Sequence, residues 1–398
     1  RAQAWKNLLD PSSGFFRARQ NGGWYQPFDP SEVNFHYTEA NAWQYGFYVP
    51  HDIQGFMNML GGARQLKARL DSLFSAPALT SGRQQADITG MIGQYAHGNE
   101  PSHHIAYLYS SAGDPASAQH ILARIMTELY SDRPDGLCGN EDCGQMSAWY
   151  VFTALGFYPV TPGTTDYVIG RPFFPKATIF LENGEHFTIT ADPVDKGYVT
   201  GITLNGRRHG LGVLSHATIM EGGSMHFSMG DSTEAFVPQK APVTGPSGHD
   251  YMPVPFVSGG HRSFFDSTVL TLQGLRPGDR VHYTLDGTRP GLLSQVYQDP
   301  VVLKESTPLR MIAADSSGSL QSGEVTAWFG KIPAQVAVRY IIPYAAMYPA
   351  NGDLTLIDGI RGGNNFRTGD WQGFQEEGPD VVIDLGRIMH LDSLSAGF

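Results

Sequence analysis

The hydrophobic pattern divides the chain into a helical first part and a strand-rich remainder. Up to about residue 160, apolar residues recur every three or four positions, which is typical of amphipathic helices. After Gly156, short alternating runs separated by Gly, Asn and Asp predict antiparallel strands and hairpins. The predicted helix faces are Phe56, Met59 and Leu60; Leu66, Leu70 and Leu73; Leu122, Ile125, Met126 and Leu129; and Met146, Trp149, Phe152 and Leu155. The fold class that follows is a multidomain α plus β protein.

Changes in composition predict where the domains begin and end. A Pro-, Gly- and Ser-rich stretch without periodicity predicts a linker. The runs that follow it have the strand spacing of a small sandwich, and the last β-unit has too little chain to close a core. We therefore expect the chain to end inside a domain, and the opening RAQAWKNLLD is predicted to come from the middle of a helix. The predicted units are a helical part at 1–160, an antiparallel β-region at 161–240, a linker at 241–262, a small β-sandwich at 263–330 and a truncated β-unit at 331–398.

Composition and charge narrow the classes of function. A formal net charge of -11 without a block of Lys or Arg disfavours nucleic acid as a partner. The longest apolar runs, such as Val301–Leu303, are far too short to cross a bilayer. Aromatic residues make up 12% and charged residues 16% of the chain, a composition that suits a neutral polyhydroxyl ligand.

Three long polar loops of the helical part carry acidic residues. Glu39 lies in one, Glu100 in the second, and Glu141 and Asp142 in the third. Each of them, taken alone, is better explained by helix capping, because carboxylates are favoured at helix N-termini. The same loops also carry side chains that capping does not require, namely Asn41, Trp43, Gln94, His97, Asn99, His103, His104, Asn140 and Gln145. Two carboxylates across a pocket are the minimum for glycoside hydrolysis.

The oxygen-rich side chains of these loops also predict a cation site. Carboxylate and amide oxygens suit a hard cation, and Ca²⁺ is the natural candidate. A transition-metal site formed by His97, Glu100 and His103 on one helix face is the alternative, but Pro101 predicts that residues 97 to 100 form a loop. Cys138 and Cys143 are too few for structural zinc, and the sequence leaves open whether they are bonded. The predicted calcium ligands are Gln94, Asn99, Glu100 and Asp142.

Several long motifs in the same order make residues 1 to about 240 similar to glycoside hydrolase family 92. The resemblance implies part of an (α/α)6 toroid and an exo-acting, inverting, Ca²⁺-dependent α-mannosidase that cleaves terminal α-1,2 or related linkages. The motifs are RAQAWKNLLDPSSGFFRAR, HYTEANAWQYGFYVPHDIQGFMNMLGG, GNEPSHHIAYLY, CGNEDCGQMSAWYVFTALGFYPV, DYVIGRPFFPKATIFL and TLNGRRHG.

The same resemblance implies roles for individual residues. Glu39 corresponds to the general acid and Asp142 to the general base. Asn140 stands where family members often carry a second acidic residue, so the base assignment depends on Asp142. The residues expected to contact substrate are Trp43, His97, His103, His104 and Glu141.

The C-terminal units resemble accessory modules. Residues 248–330, with VHYTLDGTRP, resemble the small β-sandwich at the C-terminus of some chitobiases and hexosaminidases, and residues 331–398 resemble a truncated discoidin (coagulation factor 5/8 type C) module. The implied partners are mannose-containing glycans, which the C-terminal modules could also hold at a surface. The implied role is N-glycan degradation by a secreted, periplasmic or cell-surface bacterial protein.

A non-catalytic carbohydrate-binding or scaffolding protein is the alternative function. The presence of Glu39, Glu100 and Asp142 together favours the enzyme, because a pure binder needs no carboxylate on each side of a bond. The helices present in this chain would lack partners from the rest of a toroid. We therefore expect poor independent stability, and the sequence leaves open whether this chain is active by itself.

Overall fold

The computed structural model of the protein describes residues 1–193, 197–230, 236–245, 250–375 and 377–393. Within these ranges, no helix combines the length and the apolarity that a bilayer crossing requires. The described α-helices are α1 (Ala42–Tyr45), α2 (Ile53–Leu60), α3 (Ala63–Ser75), α4 (Leu108–Ser111), α5 (Pro115–Glu128), α6 (Gln145–Leu155) and α7 (His216–Met220). Single turns of 3-10 helix are found at Ala4–Asn7, Glu100–Ser102, Ile105–Tyr107, Gly352–Leu354 and Phe366–Thr368.

The predicted helix faces in the first part are confirmed. Leu66, Leu70 and Leu73 of α3 are completely buried, and they share one apolar core with residues of α2, α5 and α6. Asp52 and Asp114 accept hydrogen bonds from backbone amides at the first turns of α2 and α5, which fixes where those helices begin. The helices therefore start where the sequence places short acidic caps before apolar stripes.

The opening segment differs from the prediction of a mid-helix position. Only Ala4–Asn7 is helical, as one 3-10 turn. The chain then turns back at Asp10, whose carboxylate accepts hydrogen bonds from Ser12 and Ser13, and Leu9 forms a β-bridge with Phe16. The prediction failed because side-chain hydrogen bonds to Asp10 favour a turn over continued helix.

Six short strands connect the long loops of the first part. The hairpin β5–β6 leads directly into the Glu100 turn, and the parallel bridge between β3 and β4 fastens the loop that precedes Glu39. These strands are β1 (Arg19–Gln20), β2 (Gly23–Trp24), β3 (Glu32–Val33), β4 (Ser81–Gly82), β5 (Met91–Ile92) and β6 (Tyr95–Ala96).

The β-region after α6 consists of two sheets packed around a second apolar core. One sheet has the strand order β13-β8-β7 and the other β12-β11-β14-β10-β9. The prediction of a purely antiparallel region is wrong for one pair, because β10 and β14 run parallel and are joined by a crossover that contains α7. The strands are β7 (Phe157–Tyr158), β8 (Asp166–Ile169), β9 (Lys176–Phe180), β10 (His186–Ala191), β11 (Tyr198–Leu204), β12 (Arg207–Arg208), β13 (Val213–Ser215) and β14 (Gly223–Gly230).

The next β-unit has two sheets around a third apolar core. The first sheet has the order β1-β2-β15-β17-β20, so the N-terminal hairpin joins it, and the second has the order β16-β22-β21-β18-β19. The strands are β15 (Phe256–Gly259), β16 (Ser263–Phe264), β17 (Thr268–Gln273), β18 (Arg280–Thr284), β19 (Gln295–Val296), β20 (Val301–Leu303), β21 (Thr307–Ala314) and β22 (Val325–Lys331). None of the sheets in the described ranges closes into a barrel.

The predicted linker at 241–262 is only partly irregular. Its last third contains β15, which pairs with β17 and β2. Its first residues are fastened to the helical part, because Ser111 donates a hydrogen bond to the Pro242 carbonyl and the Gln54 amide donates to the Thr244 carbonyl. The high content of proline and glycine therefore hid the periodicity that would have predicted β15, and it gave no sign that residues 242–244 pack against the helical part. Residues 246–249 lie outside the described residues.

The last unit contains one antiparallel strand pair. Strands β23 (Ala337–Tyr340) and β24 (Val381–Asp384) pair along their whole length. Arg262 and Asp370 form an ion pair at 2.6 Å that connects this unit to the preceding one.

Candidate active site

The Glu39 loop has a strained backbone. Ala40 is fully buried and has a φ of 56°, which is unfavourable for a residue with a side chain. The next residue, Asn41, caps α1 by accepting hydrogen bonds from the amides of Trp43 and Gln44. Capping is thus provided by Asn41, and the half-buried carboxylate of Glu39 is not used for it.

The Glu100 turn follows β6 and holds an exposed carboxylate. Pro101 lies in the first turn of the 3-10 helix, and residues 97 to 99 precede it as a turn. The prediction of a loop at this position is confirmed. His97, Glu100 and His103 consequently do not share a helix face, which removes the basis of the alternative transition-metal site.

The Asp142 loop has the most unusual backbone in this region. Asp142 and Cys143 have φ values of 51° and 56°, and Gly144 follows at 97°. Glu141, in contrast, caps α6, because its carboxylate accepts hydrogen bonds from the backbone amides of Gly144 and Ser147. Hydrogen bonding to Ser147 lowers the pKa of Glu141. Helix capping therefore explains why an acidic residue stands at position 141. It does not explain the acidic residue at position 142 or its left-handed backbone.

Asp142 and Glu100 come together although they lie on different loops. The two carboxyl groups interact electrostatically: the pKa of Asp142 is raised first by desolvation and then by the negative charges of Glu100, Asp87 and Glu141. Asp87 also accepts a hydrogen bond of 3.3 Å from Asn140. The sequence analysis missed Asp87, since nothing in its local pattern separates it from other loop acids.

Tyr45 connects the Glu39 loop to this cluster. The pKa of its phenol is raised by burial first, and by the charges of Glu39 and Glu100 among its neighbours. Glu39 and Glu100 therefore both lie near Tyr45, and Glu100 also lies near Asp142. Tyr45 was missed because an aromatic in a short helix is more often part of the core.

His97 is enclosed behind the Glu100 turn. Its side chain is 0% exposed, with Nδ1 at 2.7 Å from the Tyr95 hydroxyl and Nε2 at 2.6 Å from the Tyr130 hydroxyl. Burial lowers its pKa well below the usual value, so the ring is neutral at pH 7. These contacts favour a supporting role for His97 over the predicted contact with substrate.

His103 and His104 are also buried and neutral. Burial lowers the pKa of each to about 4. His103 Nε2 donates to the His97 carbonyl at 2.9 Å, which leaves Nδ1 to accept from the Gln145 amide at 3.0 Å. His104 Nε2 donates to the Phe47 carbonyl at 2.8 Å. His103 thus orients Gln145, three residues from Asp142, toward the Tyr158 hydroxyl at 3.4 Å.

Of the predicted cation ligands, Gln94 and Asn99 differ in how their amides are used. Gln94 accepts from Asn41 at 3.2 Å and donates to the carbonyls of Pro77 and Leu79 at 2.7 Å each. Asn99 is 3% exposed, and its Nδ2 has no hydrogen-bond partner. These contacts favour a structural role for Gln94 and leave the Asn99 amide as the unsatisfied polar group beside Glu100.

Trp43 and the cysteines lie at the edge of this region. Trp43 packs edge-on against Phe15 with the ring centroids 4.8 Å apart, and it lines a cavity that does not include Glu39, Glu100 or Asp142. Cys138 and Cys143 are both free. Burial raises the pKa of Cys138 to about 11, which disfavours a thiolate nucleophile.

Within the described ranges, no group of three or more His, Cys, Asp or Glu side chains is arranged to hold a metal ion. The predicted set does not require such a group, since it contains only the carboxylates of Glu100 and Asp142 together with amides. The geometry therefore leaves the calcium prediction as a prediction.

Comparison with known proteins identifies the family. The model of the glycosyl hydrolase family 92 catalytic domain matches residues 1–231, more than half of the chain. The chain belongs to glycoside hydrolase family 92. A second model, of an Fn3-associated region, matches residues 270–327. The family 92 match contains all three converging loops, and the Fn3-associated match lies in the two-sheet unit that follows.

Relatives of known structure include family 92 mannosidases, one of them described as an α-mannosidase. One from Bacteroides thetaiotaomicron, in complex with mannoimidazole, is 35% identical with a TM-score of 0.57 and covers 60% of this chain and 33% of its own. An inverting mannosidase from Bacteroides thetaiotaomicron VPI-5482 is 36% identical with a TM-score of 0.53, over 60% of this chain and 34% of its own.

A relative is also found among curated proteins. An uncharacterized secreted glycosidase from Arthroderma benhamiae is 31% identical over 259 residues, which are 58% of this chain and 31% of that protein. This family 92 chain thus spans about a third of the length of the relatives it matches.

Proposed function

We propose that the protein acts as an exo-acting, inverting α-mannosidase on terminal α-1,2 or related mannosidic linkages. The observation that carries the proposal is the mutual influence of three carboxylates from separate loops, seen in the pKa of Asp142, which is raised by Glu100, and in the pKa of Tyr45, which is raised by Glu39 and Glu100. One family 92 relative is described as an α-mannosidase and another as an inverting mannosidase, and together they support this substrate and stereochemistry.

In the proposed mechanism, Glu39 is the general acid and Asp142 the general base. Glu39 protonates the departing glycosidic oxygen while Asp142 takes a proton from the attacking water on the opposite face of the ring. Inversion requires the two carboxyl groups to be about 6.5–9.5 Å apart, so that the water fits between them. The raised pKa of Asp142 makes it a stronger base, and it must be ionised to act.

We propose Asn99, Glu100 and Asp142 as the residues that hold Ca²⁺, with Gln94 supporting the turn from behind. Amide and carboxylate oxygens are the donors that Ca²⁺ prefers, and which end of the Asn99 amide carries oxygen follows from its partners. The Asn99 amide oxygen and the neighbouring carboxylates of Glu100 and Asp142 are donors that fit a cation, whereas the unpartnered Asn99 Nδ2 is a hydrogen-bond donor that does not ligate one. Bound Ca²⁺ would supply positive charge that holds the hydroxyl groups of the sugar.

The proposed substrate contacts divide into outer and inner residues. Glu141 and Trp43 are partly accessible, and we propose that they contact the sugar or the departing group. His97, His103 and His104 are proposed to act from behind, His103 through Gln145. Such buried, neutral imidazoles fix the orientation of neighbouring groups without adding charge to the site.

The remaining predictions are proposed for the whole protein. We propose secretion, which the secreted fungal relative supports, and a location in the periplasm or at the cell surface of a bacterium with a role in N-glycan degradation. We also propose the domain boundaries given above, except that β15 belongs to the small β-sandwich and not to the linker. Chitobiase-like and discoidin-like character for the last two units, and glycan binding by them, are proposed as well. The toroid and poor stability of this chain in isolation are proposals of the same kind.

The test is hydrolysis of α-1,2-mannobiose by the chain and by the full-length protein, with EDTA and then with added Ca²⁺. NMR detection of the first anomer released reports stereochemistry. We expect β-mannose, loss of turnover with chelator, and its return with Ca²⁺. Glu39→Gln and Asp142→Asn should each reduce kcat by at least about 100-fold, whereas Asp135→Asn, at an exposed position of the same loop as Asp142, should not. Release of α-mannose would exclude the inverting mechanism, and turnover that persists in EDTA would exclude the calcium site.

A further inference from the structure

A second concave site lies apart from the three carboxylates. It is formed between residues 25–36 of the family 92 region and residues 347–371 of the last unit, and we name it the aromatic cleft. Neither Glu39, Glu100 nor Asp142 lines it. Its existence depends on tertiary structure, because its two sides are more than 300 residues apart in the chain.

Large apolar side chains are exposed at this cleft. Phe35 is 37%, Phe366 50% and Met347 67% exposed, and all three line the cleft. Single exposed apolar residues are common on proteins, whereas a group of them in one concavity indicates a binding surface. The concavity thus has the apolar part of a ligand site.

Aromatic rings form both sides of the cleft. On the first side, Tyr25 lies 4.3 Å from the His36 ring. On the second, Tyr348 and Phe366 meet edge to face at 5.9 Å, and Trp371 is held by a hydrogen bond of 2.7 Å from its Nε1 to the Gly363 carbonyl. Rings fixed on two sides can contact the apolar faces of a flat ligand at a small cost in side-chain entropy.

The polar groups of the cleft determine which ligands are favoured. Asn34 donates a hydrogen bond of 3.1 Å to the Glu32 carboxylate. The other lone pairs of that carboxylate can accept a hydrogen bond from a hydroxyl group of a ligand. The pKa of Tyr25 is raised by burial and by the charges of Glu32 and Asp370. Asp370 is paired with Arg262, and the Arg83 guanidinium lies 4.6 Å from the Phe35 ring centroid, so acidic and basic groups are both present at the cleft. Burial lowers the pKa of His36, which is therefore neutral at pH 7. Hydroxyl groups of a neutral ligand can bond to this mixed set of polar groups.

We propose that the aromatic cleft is a second carbohydrate-binding site that takes a neutral hexose unit of a glycan. A pyranose offers apolar C–H faces to Tyr25, Tyr348 and Trp371, and hydroxyl groups to Glu32 and Asn34. This combination of aromatic walls with few polar groups is what small-ligand sites use. The inference rests on the proposed action on glycans, and the cleft would hold one branch of a glycan while another reaches the carboxylates.

The experiment places a reporter inside the cleft. The full chain carrying Glu39→Gln, to prevent turnover, is labelled with 5-fluorotryptophan, and the Trp371 resonance is assigned from the Trp371→Phe variant. Titration with α-linked mannotriose should shift this resonance along a saturable curve.

Variants separate the cleft from the carboxylate site. Tyr348→Ala should weaken the titration of Trp371 about tenfold or more, while Tyr348→Phe should keep it. Phe180→Ala is the matched control, since Phe180 is 84% exposed but lies on β9, outside the cleft. In the protein with Glu39 restored, Tyr348→Ala should leave kcat on mannobiose unchanged.

Three outcomes would overturn the inference: no shift of Trp371 with mannotriose, an equal effect of Phe180→Ala, or Trp371 responding to a peptide or protein partner and not to sugars. A failure of mannobiose hydrolysis together with saturable binding at Trp371 would overturn the proposed function and leave the cleft as a carbohydrate site. Hydrolysis of mannobiose without a response at Trp371 would overturn the cleft as a carbohydrate site and leave the proposed function in place.

Discussion

Three residues in the loops of the candidate active site have an unfavourable, left-handed backbone conformation. Ala40, Asp142 and Cys143 all have φ values between 51° and 56°, at a cost of about 1–3 kcal/mol for each such position. Ala40 and Cys143 are neighbours of the proposed acid and base, and the proposed base itself is strained. Strain of this kind persists where the surrounding structure determines the position of a side chain, which is consistent with catalysis.

At the same scale, the buried histidines predict a pH dependence of stability. Folding lowers the pKa of His104 from 6.5 to about 4, so the unfolded chain binds the proton first as the pH falls. The stabilising effect of the neutral ring is therefore present above pH 6.5 and is lost between pH 6.5 and 4. One such histidine lowers the free energy of unfolding by an amount on the order of 2 kcal/mol between pH 7 and pH 5.

The measurement is urea unfolding at pH 7 and pH 5. His104→Gln should reduce the difference in unfolding free energy between the two pH values by that amount, whatever its effect at pH 7. His120→Gln, at an exposed position of α5, is the control and should leave the difference unchanged. An equal pH dependence in wild type and His104→Gln would show that His104 is protonated in the folded state.

At the scale of elements, the positions of the helices determine where the loops of the candidate active site lie. Asp52 and Asp114 fix the starts of α2 and α5, and Glu141 fixes the start of α6 immediately beyond Asp142. Since each candidate loop ends at a helix, the apolar faces of the helices determine where the carboxylates lie. Loss of helix packing should therefore disturb the site even where no site residue is changed.

Leu70→Ala tests the packing of α3. Leu70 is 0% exposed, and its truncation should lower the unfolding free energy by about 2–5 kcal/mol, because a cavity remains in the helical core. Leu79→Ala removes the same atoms from a side chain that is 74% exposed and should change stability by less than about 0.5 kcal/mol. Thermal unfolding followed by circular dichroism measures both. Equal melting temperatures for the two variants would show that α3 is not packed as described.

At the scale of the whole molecule, the N-terminal hairpin connects the family 92 region to the units that follow. Strand β2 pairs with β15, and Gln20 of β1 donates to Asp370, which also pairs with Arg262. Asp370 therefore joins three parts of the chain that are distant in sequence. The aromatic cleft lies beside this junction, since Gly369 is one of its lining residues.

Asp370→Ala tests this junction. Removing the carboxylate leaves the half-buried guanidinium of Arg262 without its partner, which should cost about 1–3 kcal/mol. Limited proteolysis should then cut residues 333–375 faster than in the wild type. Glu305→Ala is the control, because the Lys331–Glu305 pair has an 80% exposed carboxylate and should contribute little. Unchanged cleavage of Asp370→Ala would mean that the last unit is held by other contacts.

The sequence by itself determined the main helices, the strand-rich character of the remainder, the family and the loops that carry the candidate site, because apolar periodicity and long motifs are local properties. Only tertiary structure decided the partners of those residues. It brought Asp87 and Tyr45 to the carboxylates, enclosed His97, and joined β10 to β14 and β2 to β15 in parallel. It also created the aromatic cleft. Such contacts join residues far apart in the chain, and no local pattern encodes which distant segments will meet.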